Sequence, residues 1–186
     1  MDSDVPKVKI IWGILLIAFI FIFSMKHLFG LEVFVFEITG GFICKVLLIP
    51  ILILPLKFLN EKHKIVGGIY FSINLILVPI IIFVILGTIF LSRDNEYFYF
   101  HSPYNEKMLV VKEKSSLLIG QSEFYEKKYN IFLKDLNKTI ATDDGFRPFS
   151  RNAYKLQWID KYTVKIEYDF GNGGSWHNEI IKLYKK

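Results

Sequence analysis

Lys45 places an ammonium group inside an otherwise apolar run that extends from Ile38 to Leu56. An ionisable group in such surroundings is where a membrane protein handles ions, protons or ligands. Asn74 and Glu37 are the polar residues that offer it a partner. Glu37 lies about 12 Å away along a helix axis at 1.5 Å per residue, too far for direct contact. One Lys, one Glu and one Asn make a thin ion pathway. The plainer reading is a lysine that snorkels, with its amine at the headgroups and its stem in lipid.

The carboxyl-terminal half holds the other residues with chemical potential. Asp143-Asp144-Gly145 and Asp169-Gly171-Asn172 are rich in the oxygen ligands that a hard cation such as calcium prefers. Their spacing departs from a calcium-binding helix–loop–helix pattern, and turn formation accounts for them. Arg147 stands between Phe146 and Phe149 and could form a cation–π surface for an anionic or peptide partner. The plainer reading is an arginine stem packed on neighbouring rings. Arg147, Phe146, Phe149, Asp143 and Asp144 are the candidate binding residues of this half.

His101 and His177 are the histidines of this half, and neither lies in a metal-ligand spacing. Either could act as a general base if the two shared one cleft, or if one of them shared it with Asp143 or Asp144. No Gly-x-Ser-x-Gly elbow is present, and Ser175 before Trp176 lacks that context. No catalytic residue, metal ligand or cofactor is therefore assigned. Cys44 is the single cysteine, so one copy of the chain forms no disulfide. No signal peptide with a small-residue cleavage site precedes it, which argues against a lipid attachment site. Asn137-Lys138-Thr139 has the form of a glycosylation sequon, but the Lys, Ile, Asn and Phe excess points to an AT-rich bacterial gene, where it carries no meaning.

The elements that position these residues follow from the distribution of apolar side chains. The chain has 186 residues and is 52% hydrophobic. Only seven of its 23 basic residues precede residue 93: Lys7, Lys9, Lys26, Lys45, Lys57, Lys62 and Lys64. Ile10 to Met25 carries no charge, is flanked by Lys9 and Lys26, and predicts a helix over about 8–29. Ile65 to Leu91 is uncharged throughout and predicts a helix over about 65–91. The run between them, Leu31 to Leu59, is interrupted by Glu37 and Lys45 and kinked by Pro50 and Pro55. A mid-bilayer charge costs roughly 2.5–3.5 kcal/mol, against about 0.3–0.6 kcal/mol gained per large apolar residue, so insertion wins. The expected span is about 38–59, with Glu37 at the outer headgroups.

Residues 1–92 thus form a transmembrane region and 93–186 a water-soluble domain. Lys7 and Lys9 share a side with Lys57, Lys62 and Lys64, whereas the opposite side has Lys26 and Arg93. Lysine and arginine concentrate on the cytoplasmic side. The expected topology has the amino terminus cytoplasmic and the carboxyl-terminal domain extracellular, in a plasma membrane. Tyr97-Phe98-Tyr99-Phe100 fits both an interfacial aromatic belt and a first strand.

From Tyr97 the period becomes two. Tyr162 to Phe170 alternates without a break, as a half-buried strand does, and Tyr154 to Trp158 does the same. Trp176 to Tyr184 is the next expected strand; earlier ones are Met108 to Glu113, Ser116 to Ile119, and Phe124 to Leu133. Asp160-Lys161, Gly171-Asn172-Gly173-Gly174 and Thr142-Asp143-Asp144-Gly145 supply the turns. The expected fold is membrane α plus all-β: three transmembrane helices, then a small antiparallel β-sandwich or partly open β-barrel of six to eight strands.

Certain segments of the outer half are distinctive: Ser102-Pro103, Leu109-Val110-Val111-Lys112-Glu113 and Phe124-Tyr125-Glu126-Lys127-Lys128. Thr142-Asp143-Asp144-Gly145-Phe146-Arg147-Pro148-Phe149 and Phe170-Gly171-Asn172-Gly173-Gly174-Ser175-Trp176 complete the set. Across roughly 97–184 they resemble a family of uncharacterised membrane or lipid-anchored proteins of unknown function from Bacillus-type Gram-positive bacteria. The resemblance implies an envelope location and carries over no activity or site residue.

The function these observations favour is a multi-pass membrane protein whose outer β-domain is a non-catalytic binding module. Its partners would be the lipid bilayer and another envelope or membrane protein. The net charge of +5 is spread among acids and forms no basic stripe, so no nucleic acid is expected. The alternatives are an envelope-acting enzyme with a His-based site, and a small transport or immunity-type component using Lys45.

Overall fold

A computed structural model describes residues 5–57, 64–92, 94–104, 107–116, 119–171 and 174–185. The chain forms two compact units, Met1–Leu91 and Ser92–Lys186.

The first unit contains three helices long and apolar enough to cross a bilayer. Helix α1 spans Val5–Phe29 and stops at Gly30, whose N–H donates to Lys26 O at 3.1 Å. A short hairpin follows, β1 (Leu31–Val35) and β2 (Ile38–Thr39). Helix α2 spans Gly40–Ile53, within a membrane-length span that runs on to Lys57, and α3 spans Lys64–Ser92. The hairpin corrects the expected span of 38–59, because Ile38 and Thr39 are strand and the helix starts at Gly40. Val33 and Val35 are β-branched and favour strand, and Phe36 and Glu37 turn the chain with φ of 50° and 63°. Two positive-φ residues make the turn that matches the twist of paired strands. Glu37 thus sits at the hairpin tip. Phe58, Leu59 and Lys62 lie outside the described residues, as does Arg93.

Pro50 stands inside α2, and the helix ends at Ile53, two residues before Pro55, where neighbouring helices supply the missing donor. Pro55 has no N–H, so the carbonyl four residues earlier, Ile51 O, loses its helical donor. The Trp12 indole N–H of α1 donates to that carbonyl at 2.9 Å. The Tyr70 hydroxyl of α3 donates to Leu52 O at 2.9 Å beside it. Freed backbone groups in lipid must find such partners.

The second unit is an antiparallel β-sandwich. One sheet is the meander β3 (Glu96–His101), β4 (Met108–Ser116), β5 (Ile119–Lys128) and β6 (Phe132–Asp143). The other is β7 (Tyr154–Asp160), β8 (Thr163–Asp169) and β9 (Trp176–Lys182). Alternation decides the inner faces. Leu109, Val111, Phe124 and Ile140 from the first sheet meet Val164, Ile166, Tyr168 and Ile181 from the second, with Phe149 among them.

Two expected strands differ. Phe124–Leu133 divides into the end of β5 and the start of β6, because Tyr129 and Asn130 form a turn with φ of 49° and 61°. Ser116 closes β4 and Ile119 opens β5, so the two ends of that expected strand belong to different strands. Residues 117 and 118, and likewise Asn172 and Gly173, are outside the described residues. The Asp160-Lys161 hairpin forms, with Asp160 Oδ1 accepting from Tyr162 N at 2.7 Å.

Candidate functional site

The segment 142–150 carries all five candidate binding residues, and two glycines let it lie close. A Cβ on Gly120 would stand 1.9 Å from Phe146 O, and one on Gly171 would stand 2.6 Å from Phe146 Cβ. Gly171 also has φ of +100°, a region side-chain-bearing residues rarely adopt. Asp144 (φ 48°) and Gly145 (φ 65°) reverse the chain, Phe146 N donates to Asp143 O at 2.8 Å, and Thr142 Oγ1 donates to Phe146 O. Asp143 and Asp144 are exposed, and Asp143 Oδ1 accepts from Asp144 N at 3.0 Å.

Glu113 organises the rest of this segment. It is fully buried at the end of β4 and accepts from Phe149 N at 2.9 Å and Ser150 N at 2.8 Å. The Ser150 hydroxyl lies against the same carboxylate, and Ser122 Oγ reaches it at 3.4 Å. Arg147 pairs with two carboxylates: its Nε is 3.7 Å from Glu113 Oε2, and its Nη2 is 3.0 Å from Glu96 Oε1. The guanidinium therefore faces two acids by charge, while Nε and Nη2 make no hydrogen bond among the described residues. The cation over the Phe146 ring is Arg151, at 5.3 Å. Phe149 points inward, with the Tyr154 ring 4.7 Å and the Phe98 ring 5.8 Å from its own. Of the five, Phe149 is core, Arg147 is an internal bridge, and Phe146, Asp143 and Asp144 shape the loop.

The opposite end of the sandwich holds a second buried carboxylate, Glu126 on β5. Lys107 and Lys128 both donate to it, Lys128 at 2.6 Å, and Tyr184 N donates at 3.0 Å. Lys107 Nζ also reaches Tyr184 O at 3.1 Å, which ties the chain end to the first sheet. Burial works to raise the Glu126 carboxyl, but the Lys107 and Lys128 hydrogen bonds outweigh it and hold it below its ordinary value. Burial works to lower the Lys107 ammonium, and the hydrogen bond to Glu126 turns the balance upward.

Glu113, Glu126 and Lys107 were not singled out from sequence. The signal for the two acids was present: Leu109, Val111 and Glu113 share one strand face, as do Phe124 and Glu126. Period two therefore carries both acids into the core.

The two histidines are not brought together. His101 pairs with Met108 beside the Glu126 end of the sheet. Asp143 pairs with Ile119, and from there to Glu126 along β5 is about 23 Å at 3.3 Å per residue. His177 stacks on Phe170, ring to ring at 4.7 Å, and Phe170 O accepts from Asp143 N at 3.0 Å, so His177 is the histidine at the Asp143 end. Among the described residues no three His, Cys, Asp or Glu side chains converge as metal ligands.

In the first unit Lys45 donates to Thr88 Oγ1 at 2.8 Å, a partner different from Asn74 and Glu37. Asn74 is buried, donates to Tyr70 O at 2.9 Å, and leaves Oδ1 without a partner. Fold and apolar helices together define a multi-pass membrane protein bearing an antiparallel β-sandwich. Protein-family models, curated proteins and solved structures yield no match to this chain, so the resemblance above rests on its motifs alone.

Proposed function

We propose that the chain is a membrane-anchored envelope protein whose β-sandwich is a non-catalytic interaction module on the outer face of the plasma membrane. One observation carries the non-catalytic part: the two buried carboxylates among the described residues of the sandwich, Glu113 and Glu126, are occupied by donors of their own chain. Catalytic acids and bases need an accessible lone pair or proton and a tuned pKa. These two hold a loop and a chain end. The lysine asymmetry, Lys7 and Lys9 with Lys57, Lys62 and Lys64 against Lys26 and Arg93, supports an extracellular sandwich.

The open face of β7–β9 is the surface that suits a partner. Trp176, Ile159 and Ile180 are each about half exposed, and Lys155 Nζ lies 5.3 Å from the Trp176 ring centre. Tryptophan is among the residue types that most often dominate the binding energy of an interface.

A photo-crosslinking residue placed at Trp176 tests the module in cells, with protease added to intact cells as the topology control. The expected outcome is loss of the sandwich to protease and a discrete adduct at Trp176. Survival of the sandwich with digestion of the amino-terminal tail overturns the orientation. Absence of an adduct at Trp176 and Ile180 alike overturns the binding face.

A further inference from the structure

The end of α1, the β1–β2 hairpin and the first turns of α2 enclose a cleft of about 330 Å³. That volume falls in the range of small-molecule sites, about 300–1,000 Å³. Gly41, Cys44, Lys45 and Leu48 line it from α2, at the i, i+3, i+4, i+7 spacing of one helix face. Phe19 and Ile22 of α1 complete its apolar wall, and Lys26, His27 and Glu32 also line it, with His27 counted as neutral.

The two cations lie at the same end of the helices. Lys26 is in the last turn of α1. Lys45 is five residues into α2, about 8 Å from its start at 1.5 Å per residue. Both are therefore near the membrane surface opposite the amino terminus, above an apolar wall. Glu32 is shared: its Oε1 lies 3.3 Å from Lys26 Nζ and 3.4 Å from Gly41 N. These are long for charge-assisted contacts, which run about 2.7–2.9 Å. Lys45 has a neutral partner, Thr88 Oγ1, and an ammonium carries three donors. Lys26 and Lys45 against Glu32 leave one positive charge in surroundings where an unpaired charge is costly.

We propose that this cleft binds one anionic glycerophospholipid, with its phosphate between Lys26 and Lys45 and one acyl chain along Phe19, Ile22 and Leu48. Basic pockets between membrane helices bind anionic headgroups on the cytoplasmic side, and the same charge pairing here would take a lipid of the opposite leaflet. The phosphate supplies the anion that Lys45 lacks, and the chain occupies volume that water would not favour.

Cys44, the sole thiol, lines the cleft and reports its occupancy. The full chain is placed in phosphatidylcholine nanodiscs with or without phosphatidylglycerol, and the maleimide labelling rate of Cys44 is measured. Phosphatidylglycerol is expected to slow labelling about tenfold, the occupancy change that 1.4 kcal/mol makes. Lys45→Gln with Lys26→Gln should label equally fast in both discs, whereas Lys45→Arg should keep the protection. Native mass spectrometry should find one retained phosphatidylglycerol on the parent chain and none on the double Gln variant. Equal labelling of the parent chain in both discs overturns the proposal, as does a retained lipid on the double variant. Equal protection by soluble glycerol phosphate overturns the acyl-chain part.

Discussion

Replacing Glu113 with alanine removes the acceptor that the amides of Phe149 and Ser150 share, at 2.9 and 2.8 Å. Phe149 is fully buried, so its orphaned amide has no route to water. Each such group costs about 1–3 kcal/mol, and removing one member of a buried charged pair costs about 3–5 kcal/mol. The Arg147 guanidinium would keep only the half-exposed Glu96 as its acid. A loss of about 3–5 kcal/mol is expected, from a total that for a domain is about 5–15 kcal/mol. Hydrogen exchange on the full chain in detergent reads this directly, because core strands open with nearly the global free energy. Protection of the β4, β5 and β8 amides should fall by roughly two to three orders of magnitude, one for each 1.4 kcal/mol. Glu113→Gln should cost less, since one side-chain oxygen still accepts while the amide N–H₂ faces a donor. A change below about 1 kcal/mol for Glu113→Ala would refute the claim that this carboxylate holds segment 146–150.

Acid should loosen the sandwich through Glu126. Its folded-state pKa is held below the ordinary value of 4.5, so its stabilisation is complete above that value and is lost as pH falls through the folded pKa. A pH titration of exchange rates from neutral to acid should show this loss in the parent chain and a flatter profile in Glu126→Gln. Matching profiles would dismiss the Lys107–Glu126–Lys128 cluster as the source. Trp12→Phe leaves Ile51 O without its donor and should cost about 0.6–1.7 kcal/mol, the scale of side-chain hydrogen bonds within membranes. A thermal melt in detergent that matches the parent would show the carbonyl satisfied another way.

Apolar runs such as Ile65–Leu91 determine by themselves that α3 is a membrane-length helix, since no other structure hides so many backbone groups in lipid. The unbroken alternation of Tyr162–Phe170 determines a strand in the same way, and glycine and aspartate punctuate the hairpins around it. The hairpin at Leu31–Thr39 is not legible, because so short a segment, four apolar residues with Glu32 among them, suits a strand or a helix end equally. The inward direction of Glu113 and Glu126 could be read from period two, but their partners could not. Ser150 follows Glu113 by 37 residues and Tyr184 follows Glu126 by 58, so only chain folding sets those distances. The same holds for Lys45 and Thr88, 43 residues apart on two helices. Local sequence decides which backbone each segment adopts, because hydrogen bonding and solvent act within a few residues. Which charge meets which donor belongs to the tertiary structure, because a buried ion is stabilised only by groups that packing brings within about 3 Å.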